Sequence, residues 1–339
     1  MCLHQKGYNR LMAAPLVSVC VPVYGTERFL ARCLESIFRQ NFRGMEVVVL
    51  NDGSSGLDGD GQDCRRIVRK SSKRSHIKTT YLEHRENSGL VEARRSLVHA
   101  ARGEYVLMLD SDDFLCGGAL SALYGTAVNT GADIVHGATV TFIRSGEKII
   151  PVESAKNSRP YRGTLEKRAI LDGWLLDGNH SSNLWGKLIR RSRYVEAFGD
   201  IPRTYCNMAE DLLIYFFVAM RCEKYVGIEI PAVNYCVSSG MTAPAQAGSV
   251  EEFRRKVSSA SVFTVIFSWC ERILAETGRN PLSDMELDRI RTLAKLYVMN
   301  SVEQLRCTVP PELADEARGI LCEYWGENLV SLAERNLAR

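Results

Sequence analysis

The chain has 339 residues, so at roughly 150 residues per domain we expect two structural units or one enlarged domain with an extension. Hydrophobic residues make up 45% and charged residues 24%, which is typical of a folded globular protein and excludes a disordered, collagen-like or mucin-like chain. With 43 basic and 40 acidic residues the formal net charge is +3, so charge gives no reason to expect a nucleic-acid partner.

The first 115 residues alternate between strand and helix patterns. Four short apolar runs predict strands: Leu16–Val23, Glu46–Leu50, Ile77–Leu82 and Glu104–Leu109. Helical spacing predicts a helix after Thr26, a solvated basic helix over Arg65–Arg74 and a third helix over Val91–Ala101. Such alternation predicts an α/β fold, with a mostly parallel sheet sandwiched by helices.

The remainder of the chain is more mixed and then becomes helical. The pattern predicts a helix over Leu120–Val128, a strand over Asp133–Ile143 and an apolar helix over Leu212–Met220. From Gly248 onward the apolar residues recur at helical spacing, which predicts a C-terminal α-helical region. We therefore divide the chain into a tail (1–14), an α/β domain (15–247) and a helical domain (248–339).

The compartment is predicted from the cysteines and from apolar segments. Eleven cysteines are scattered without a Cys-x-x-Cys pair or zinc-site spacing, which favours a reducing compartment over a secreted protein. Residues 1–14 lack the apolar core of a signal peptide. The apolar run Val262–Phe267 is far shorter than the ~20 residues that span a bilayer. We expect a cytoplasmic protein, with peripheral contact at the inner face of the membrane left open.

Polar segments follow three of the four predicted strands. They are Tyr24-Gly25, Asn51-Asp52-Gly53 and Asp110-Ser111-Asp112. Ligands of parallel sheets bind beyond the carboxyl ends of the strands, so these segments predict a binding site at one edge of the sheet.

Asp110 and Asp112 form a DxD motif, and two such carboxylates cannot both lie in an apolar core. Oxygen ligands on a turn suit Mg²⁺ or Mn²⁺, which take further ligands from water and from a diphosphate. A surface turn or a helix N-cap is the alternative for a DxD motif considered alone.

Two further acidic segments have two interpretations each. Asp52 could accept a hydrogen bond from a nucleobase or a ribose, or simply form an Asx turn. Glu210 and Asp211 suit the positive end of a helix dipole, but a carboxylate beside an apolar wall is also how a general base is made.

Taken in order, five short motifs resemble family 2 glycosyltransferases. They are Val17–Tyr24, Asn51–Ser55, Glu86–Leu90 with Ala93-Arg94, Gly103–Tyr105 and Leu109–Asp113. The resemblance covers about residues 16–116 and continues more weakly through Trp185–Leu188 and Glu210-Asp211 to about Tyr235. It implies a GT-A (Rossmann-like) domain, with a nucleotide-binding half over about 15–116 and an acceptor half over about 117–247.

The resemblance also implies roles for individual residues. The implied nucleotide and cofactor contacts are Pro22, Tyr24, Asp52, Arg94, Asp110, Ser111 and Asp112. Asp52 would bind the base, Arg94 would lie near the ribose or diphosphate, and Asp112 with Asp110 would hold Mn²⁺ or Mg²⁺. Asp211 would deprotonate the acceptor hydroxyl with support from Glu210. Sugar contacts are expected from Trp185 and Lys187, and His180 is an additional candidate for the acceptor.

Three departures from the family pattern bear on donor or acceptor preference. Gly25 and Arg95 stand where the family usually has Asn, and Gly56–Asp63 is unusually rich in Gly and Asp. None of them removes a carboxylate that the reaction needs.

Together these observations predict an inverting, metal-dependent glycosyltransferase, a hexosyl- or N-acetylhexosaminyl-transferase of cell-surface polysaccharide or glycoconjugate synthesis. The donor would be a nucleotide-diphosphate sugar, a UDP-sugar on family frequency, and the acceptor a glycan, a lipid-linked molecule or a protein. A catalytically silent binding module and, less favoured, a sugar nucleotidyltransferase are the alternatives. Peripheral membrane contact and homo-oligomer formation through the C-terminal helices are left open.

Overall fold

One ten-stranded sheet runs through the described part of the chain. The computed structural model describes residues 14–73, 75–145, 148–152, 159–237 and 249–337. The strands are β1 Val17–Val23, β2 Met45–Asn51, β3 Lys78–Glu83, β4 Tyr105–Met108, β5 Phe114–Leu115, β6 Ile134–Ser145, β7 Lys148–Val152, β8 Thr164–Glu166, β9 Lys187–Arg190 and β10 Lys224–Cys236. The helices are α1 Glu27–Phe38, α2 Cys64–Ser72, α3 Leu90–Ala100, α4 Ala119–Thr130, α5 Arg168–Leu175, α6 Arg191–Asp200, α7 Glu210–Ala219, α8 Val250–Val257, α9 Ala260–Thr277, α10 Asp284–Thr308, α11 Ala314–Trp325 and α12 Glu327–Leu337.

The sheet joins a parallel half to a mixed half. Its strand order is β3-β2-β1-β4-β9-β6-β10-β5, with β7 beside β6 and β8 beside β10. The pairs β1–β2, β2–β3 and β1–β4 are parallel, whereas β9 is antiparallel to both β4 and β6. The predicted α/β architecture is confirmed, but the sequence did not predict β9, because a four-residue strand is too short to show a period.

Helices cover both faces of the sheet, which explains why β1 is buried along its whole length and is mostly apolar. Alternate residues of β1, including Val19 and Val21, pack with α1, α2 and α4. On the opposite face Cys20 packs with α3, α6 and α7. The basic residues predicted to form a solvated face lie on α2, where Arg65 and Arg66 are exposed.

The C-terminal helices share a core with the α/β part and also form a core of their own. Trp269 of α9 packs edge-on against Phe216 and Phe217 of α7, with ring centroids 5.8 and 5.3 Å apart. A separate apolar cluster joins α8, α10, α11 and α12 around Phe253 and Val302. The C-terminal helical region is confirmed, while the proposed boundary at residue 247 lies outside the described residues.

Among the described residues, one helical stretch, Val250–Thr277, is long and apolar enough to cross a membrane by length and composition. Of its most apolar window, 56% is buried within the protein. Burial of this kind is what a core helix shows, so the stretch is weak support for a membrane span.

Candidate active site

A cavity of about 810 Å³ lies beyond the carboxyl ends of β1 and β4 and reaches the start of α7. It brings together nine of the predicted site residues: Pro22, Tyr24, Asp110, Ser111, Asp112, His180, Trp185, Glu210 and Asp211. The site therefore lies at the predicted edge of the sheet. Three predicted residues, Asp52, Arg94 and Lys187, are buried behind its wall.

The acidic loop after β4 is anchored by α1. The Ser111 hydroxyl lies 2.6 Å from that of Thr26, which occupies the N-cap position of α1 but makes no capping bond there. Arg32 of α1 donates a hydrogen bond of 2.6 Å to the carbonyl oxygen of Asp112. These contacts fix the backbone of the loop, so the carboxylates of Asp110 and Asp112 are presented to the cavity.

The donor set suits a divalent cation that arrives with a diphosphate. Asp110 and Asp112 offer carboxylate oxygens to the cavity, and the Asp110 side chain is 28% exposed. Within the described ranges no group of three His, Cys, Asp or Glu side chains is arranged to hold an ion. Mg²⁺ is commonly held by one or two carboxylates and completes its coordination with waters and substrate phosphates, so two carboxylates are sufficient.

Arg94 connects three acidic residues beneath the cavity. Its side chain is 1% exposed, and its Nη2 lies 3.1 Å from an oxygen of Asp110, 3.0 Å from Glu210 and 3.4 Å from Asp211. The resemblance placed Arg94 near the ribose or diphosphate; the structure instead places it behind the carboxylates. Its charge offsets their mutual repulsion, which is why these acids can share one partly desolvated site.

Helix α7 begins with two acidic residues, Glu210 and Asp211, that line the cavity. Ala209, just before the helix, has a left-handed backbone with φ 64°, which is uncommon for a residue with a side chain. Burial and the neighbouring Glu210 raise the pKa of Asp211 to about 8, against the opposing effect of Arg94. Burial also raises the pKa of Glu210. A carboxylate with a pKa near neutrality on a cavity wall fits a general base.

Lys187 lies beneath the cavity and is fully buried. Its ammonium group donates to the carbonyl oxygen of Asn183 and lies 5.0 Å from the ring centroid of Tyr215. Burial lowers the pKa of Lys187 to about 7, against the opposing charge of Asp211. The expected contact of Lys187 with a sugar is therefore corrected, because the side chain supports the cavity wall from behind.

His180 lines the cavity, but both of its ring nitrogens have partners. Nε2 lies 2.8 Å from the Tyr215 hydroxyl, and Nδ1 lies 2.9 Å from the Asn179 side-chain oxygen. Burial and the charge of Lys187 lower the pKa of His180 to about 3, so the ring is neutral near pH 7. His180 therefore shapes the wall and has no free nitrogen to offer an acceptor.

Asp52 holds the loop that leads into α3. Its carboxylate accepts hydrogen bonds of 3.1 Å from the backbone N–H groups of Ser88 and Gly89 and from the Asn87 side chain. The Nδ1 atom of His84 lies 2.6 Å away. These partners lie 32 to 37 positions further along the chain, so the carboxylate of Asp52 does not form a local Asx turn. The base contact that the resemblance implies stays a prediction.

An aromatic pair forms another wall of the cavity. The rings of Trp185 and Tyr235 stack with centroids 4.7 Å apart and an interplanar angle of 14°. Both residues line the cavity, as expected for Trp185. No sequence motif assigns a role to Tyr235, because only the sheet, which places β10 near the segment before β9, makes it a neighbour of Trp185.

Sequence reasoning also missed the C-terminal contribution to the site. Arg255 of α8 and Arg289 of α10 line the cavity. Arg255 donates a hydrogen bond of 3.1 Å to the hydroxyl of Tyr24, which is 231 positions away in the chain. No local pattern could reveal a contact across that distance.

The sheet and the cavity at its edge fit a GT-A fold, and comparison with known proteins identifies the family. The sequence model of glycosyl transferase family 2 matches residues 18–193, more than half of the chain, and the chain belongs to that family.

Two curated relatives come from Streptococcus pneumoniae serotype 4. The glycosyltransferase GlyA is 37% identical over 129 residues, which is 38% of this chain and 17% of GlyA. The glycosyltransferase GlyG is 31% identical over 123 residues, which is 36% of this chain and 38% of GlyG. The similarity thus spans well under half of the length of either relative.

Solved structures of TarS from S. aureus share the fold over most of the chain. TarS residues 1–349 superpose with a TM-score of 0.53 at 17% identity, covering 94% of this chain and 91% of that one. Complexes of the same TarS segment with UDP and with UDP-GlcNAc give TM-scores of 0.52 and 0.53. At this identity the likeness supports the fold alone.

Proposed function

We propose that this chain transfers a sugar from a nucleotide-diphosphate sugar to a hydroxyl group, with inversion at the anomeric carbon. A UDP-sugar is the favoured donor, because the TarS structures that share the fold include complexes with UDP and UDP-GlcNAc. The observation that carries the proposal is the arrangement of one cavity, in which a base with a raised pKa, Asp211, faces the same space as Asp110 and Asp112.

The chemical step needs one base and one stabilised leaving group. Asp211 takes the proton of the acceptor hydroxyl, and that oxygen forms a bond to the anomeric carbon. The bond from this carbon to the diphosphate oxygen breaks, and its electron pair leaves with the nucleoside diphosphate. A Mg²⁺ or Mn²⁺ ion bound by Asp112 and Asp110 would neutralise charge on the diphosphate.

Other residues of the site position these groups. Arg94 contacts both Glu210 and Asp211, and its positive charge offsets the repulsion between their two carboxylates. The stacked pair of Trp185 and Tyr235 offers an aromatic wall against which the apolar face of a sugar could pack.

The test is transfer by matched variants. Purified protein is incubated with a panel of labelled nucleotide sugars, Mn²⁺ and glycan, lipid-linked or protein acceptors, and release of the nucleoside diphosphate is followed. Asp211→Asn should abolish turnover while leaving donor binding within a few-fold. Asp288→Asn is the control, because Asp288 lies on the surface with 73% of its side chain exposed. Normal turnover by Asp211→Asn would overturn the assignment of the base.

Assays of the products formed separate the proposed transferase from the two alternatives. A silent binding module would bind the nucleotide and release nothing with any acceptor. A sugar nucleotidyltransferase would instead form pyrophosphate from a nucleoside triphosphate and a sugar phosphate. The presence of a candidate base on the wall of the cavity favours the transferase.

We also propose that the enzyme works in the cytoplasm, on the synthesis of cell-surface polysaccharide or glycoconjugates. The ten cysteines among the described residues are all free thiols, which is compatible with a reducing compartment. Peripheral contact with the inner face of the membrane and self-association through the C-terminal helices belong to the same proposal. Cell fractionation and light scattering test these points, and a protein found only outside the cytoplasm would contradict the first.

A further inference from the structure

The acidic and basic side chains of the cavity come from different parts of the chain. Its acids, Asp110, Asp112, Glu210 and Asp211, all belong to the α/β part. Among the described lining residues the basic side chains are Arg255 and Arg289, and both belong to the C-terminal helices. An anionic ligand in this cavity therefore finds its positive partners in the helical region or in a bound cation.

Arg255 is aimed at the nucleotide end of the cavity. Its Nη1 donates to the Tyr24 hydroxyl, and its guanidinium carbon lies 5.4 Å from the centroid of the Tyr24 ring. Its Nε is buried and has no hydrogen-bond partner among the residues that the structure describes. A buried charged donor without an acceptor is unfavourable, so a ligand that supplies an acceptor to Arg255 would gain a favourable contact.

The end of helix α8 is hydrogen-bonded to the segment that leads into α7. Ser258, at the end of α8, accepts a hydrogen bond of 2.9 Å from the backbone N–H of Asn207 and donates one of 2.7 Å to the carbonyl oxygen of Arg255. Asn207 lines the cavity three residues before Glu210. Through Ser258 the backbone of Arg255 is thus tied to the segment that leads into α7.

The preceding residue on the helix, Arg254, provides a comparison for Arg255. Arg254 lies beside Glu251 and Glu323, 3.8 and 3.4 Å away, and it does not line the cavity. Two adjacent arginines of one helix therefore face different surroundings, and their charge and helix propensity are the same.

We propose that Arg255 binds the diphosphate of the donor, so that the C-terminal helical region completes the nucleotide site of the α/β domain. A guanidinium presents two parallel N–H donors that match phosphate oxygens, and its charge also stabilises the leaving nucleoside diphosphate. The assignment rests on the proposed function, because it needs a nucleoside diphosphate in this cavity.

The test compares a nucleoside with its diphosphate. UDP and uridine are titrated into wild type, Arg255→Gln, Arg255→Lys and Arg254→Gln in the presence of Mn²⁺, by calorimetry for UDP and ligand-observed NMR for uridine. Arg255→Gln should weaken UDP binding by about tenfold to a hundredfold, as expected for the loss of a charge-assisted hydrogen-bonded contact. Uridine binding should stay within about twofold, Arg254→Gln should match wild type, and Arg255→Lys should recover part of the loss.

Each contrary outcome has a distinct meaning. Equal UDP binding by Arg255→Gln and Arg254→Gln would overturn the assignment and leave the proposed function intact. An equal loss for uridine and UDP would also overturn it, because Arg255 would then only hold Tyr24 in place. If wild type bound no UDP, and no other nucleoside diphosphate, the proposed donor and this assignment would both fail. Retained uridine binding shows that a variant is folded.

Discussion

Replacing Arg94 with Met removes a guanidinium that contacts three acidic side chains, with N–O distances between 3.0 and 3.4 Å. Breaking a buried ion pair by deleting one partner typically costs about 3–5 kcal/mol, because the remaining charge is left uncompensated. We expect Arg94→Met to lower the free energy of unfolding by about that amount at mildly alkaline pH.

The loss should depend on pH in a defined direction. Without Arg94 the pKa values of Glu210 and Asp211, already raised by burial, rise further, so the folded variant holds protons that the unfolded chain releases. The destabilisation is therefore smallest where Glu210 and Asp211 are protonated in the folded state of both proteins, and it grows as the pH rises through the folded pKa values. Each further unit of pKa shift corresponds to about 1.4 kcal/mol.

The assay is urea unfolding of wild type and Arg94→Met at about pH 5.5 and about pH 9.5, which lie below and above the pKa of about 8 of Asp211 in the wild type. Adding Asp211→Asn to Arg94→Met should recover part of the stability at the higher pH, because it removes one of the uncompensated charges. An equal loss of stability at both pH values, with no recovery in the double variant, would refute the electrostatic account of Arg94.

Three further predictions concern the start of α7 and the aromatic wall. Because Asp211 must be ionised to act as a base and its pKa is about 8, the rate of transfer should increase from about pH 6.5, pass half of its maximum near pH 8 and level off above about pH 9; a rate that falls over this range would contradict the assignment. Ala209→Gly should stabilise the protein by up to about 1 kcal/mol in urea unfolding, since Gly adopts φ 64° without strain, and a clear destabilisation would show that the strain is not there. Trp185→Ala should reduce transfer about tenfold or more while Trp185→Phe retains most of it, and equal activities of the two variants would argue against a stacking role.

Local sequence patterns predicted the elements that carry the site. The apolar runs of β1 and β4 were evident because strands buried on both faces need continuous hydrophobic residues. The position of Asp110 and Asp112 followed from the rule that ligands bind beyond the carboxyl ends of parallel strands. The family resemblance was needed to connect them with Asp211, which lies about 100 positions further along the chain.

The remaining features depend on contacts between distant segments. Arg94 and Lys187 are charged residues within motifs, so the sequence suggested that they meet the ligand, but burial among particular partners places them behind the wall. Arg255 could not be singled out from Arg254, because only the packing of α8 decides which of the two faces the cavity. The charge and spacing of residues predict which face of a helix or strand is polar. They do not predict which groups that polar face contacts.

The most direct test of the central claim is calorimetric titration of UDP into the purified wild-type protein with and without Mn²⁺, beside Asp112→Ala. Binding that requires Mn²⁺ and is lost in Asp112→Ala is the predicted result for a nucleotide site completed by a cation on the acidic loop. UDP binding that does not depend on Mn²⁺ and persists in Asp112→Ala would contradict the role of this loop. The absence of binding by UDP, GDP and CDP would contradict the proposed donor site itself.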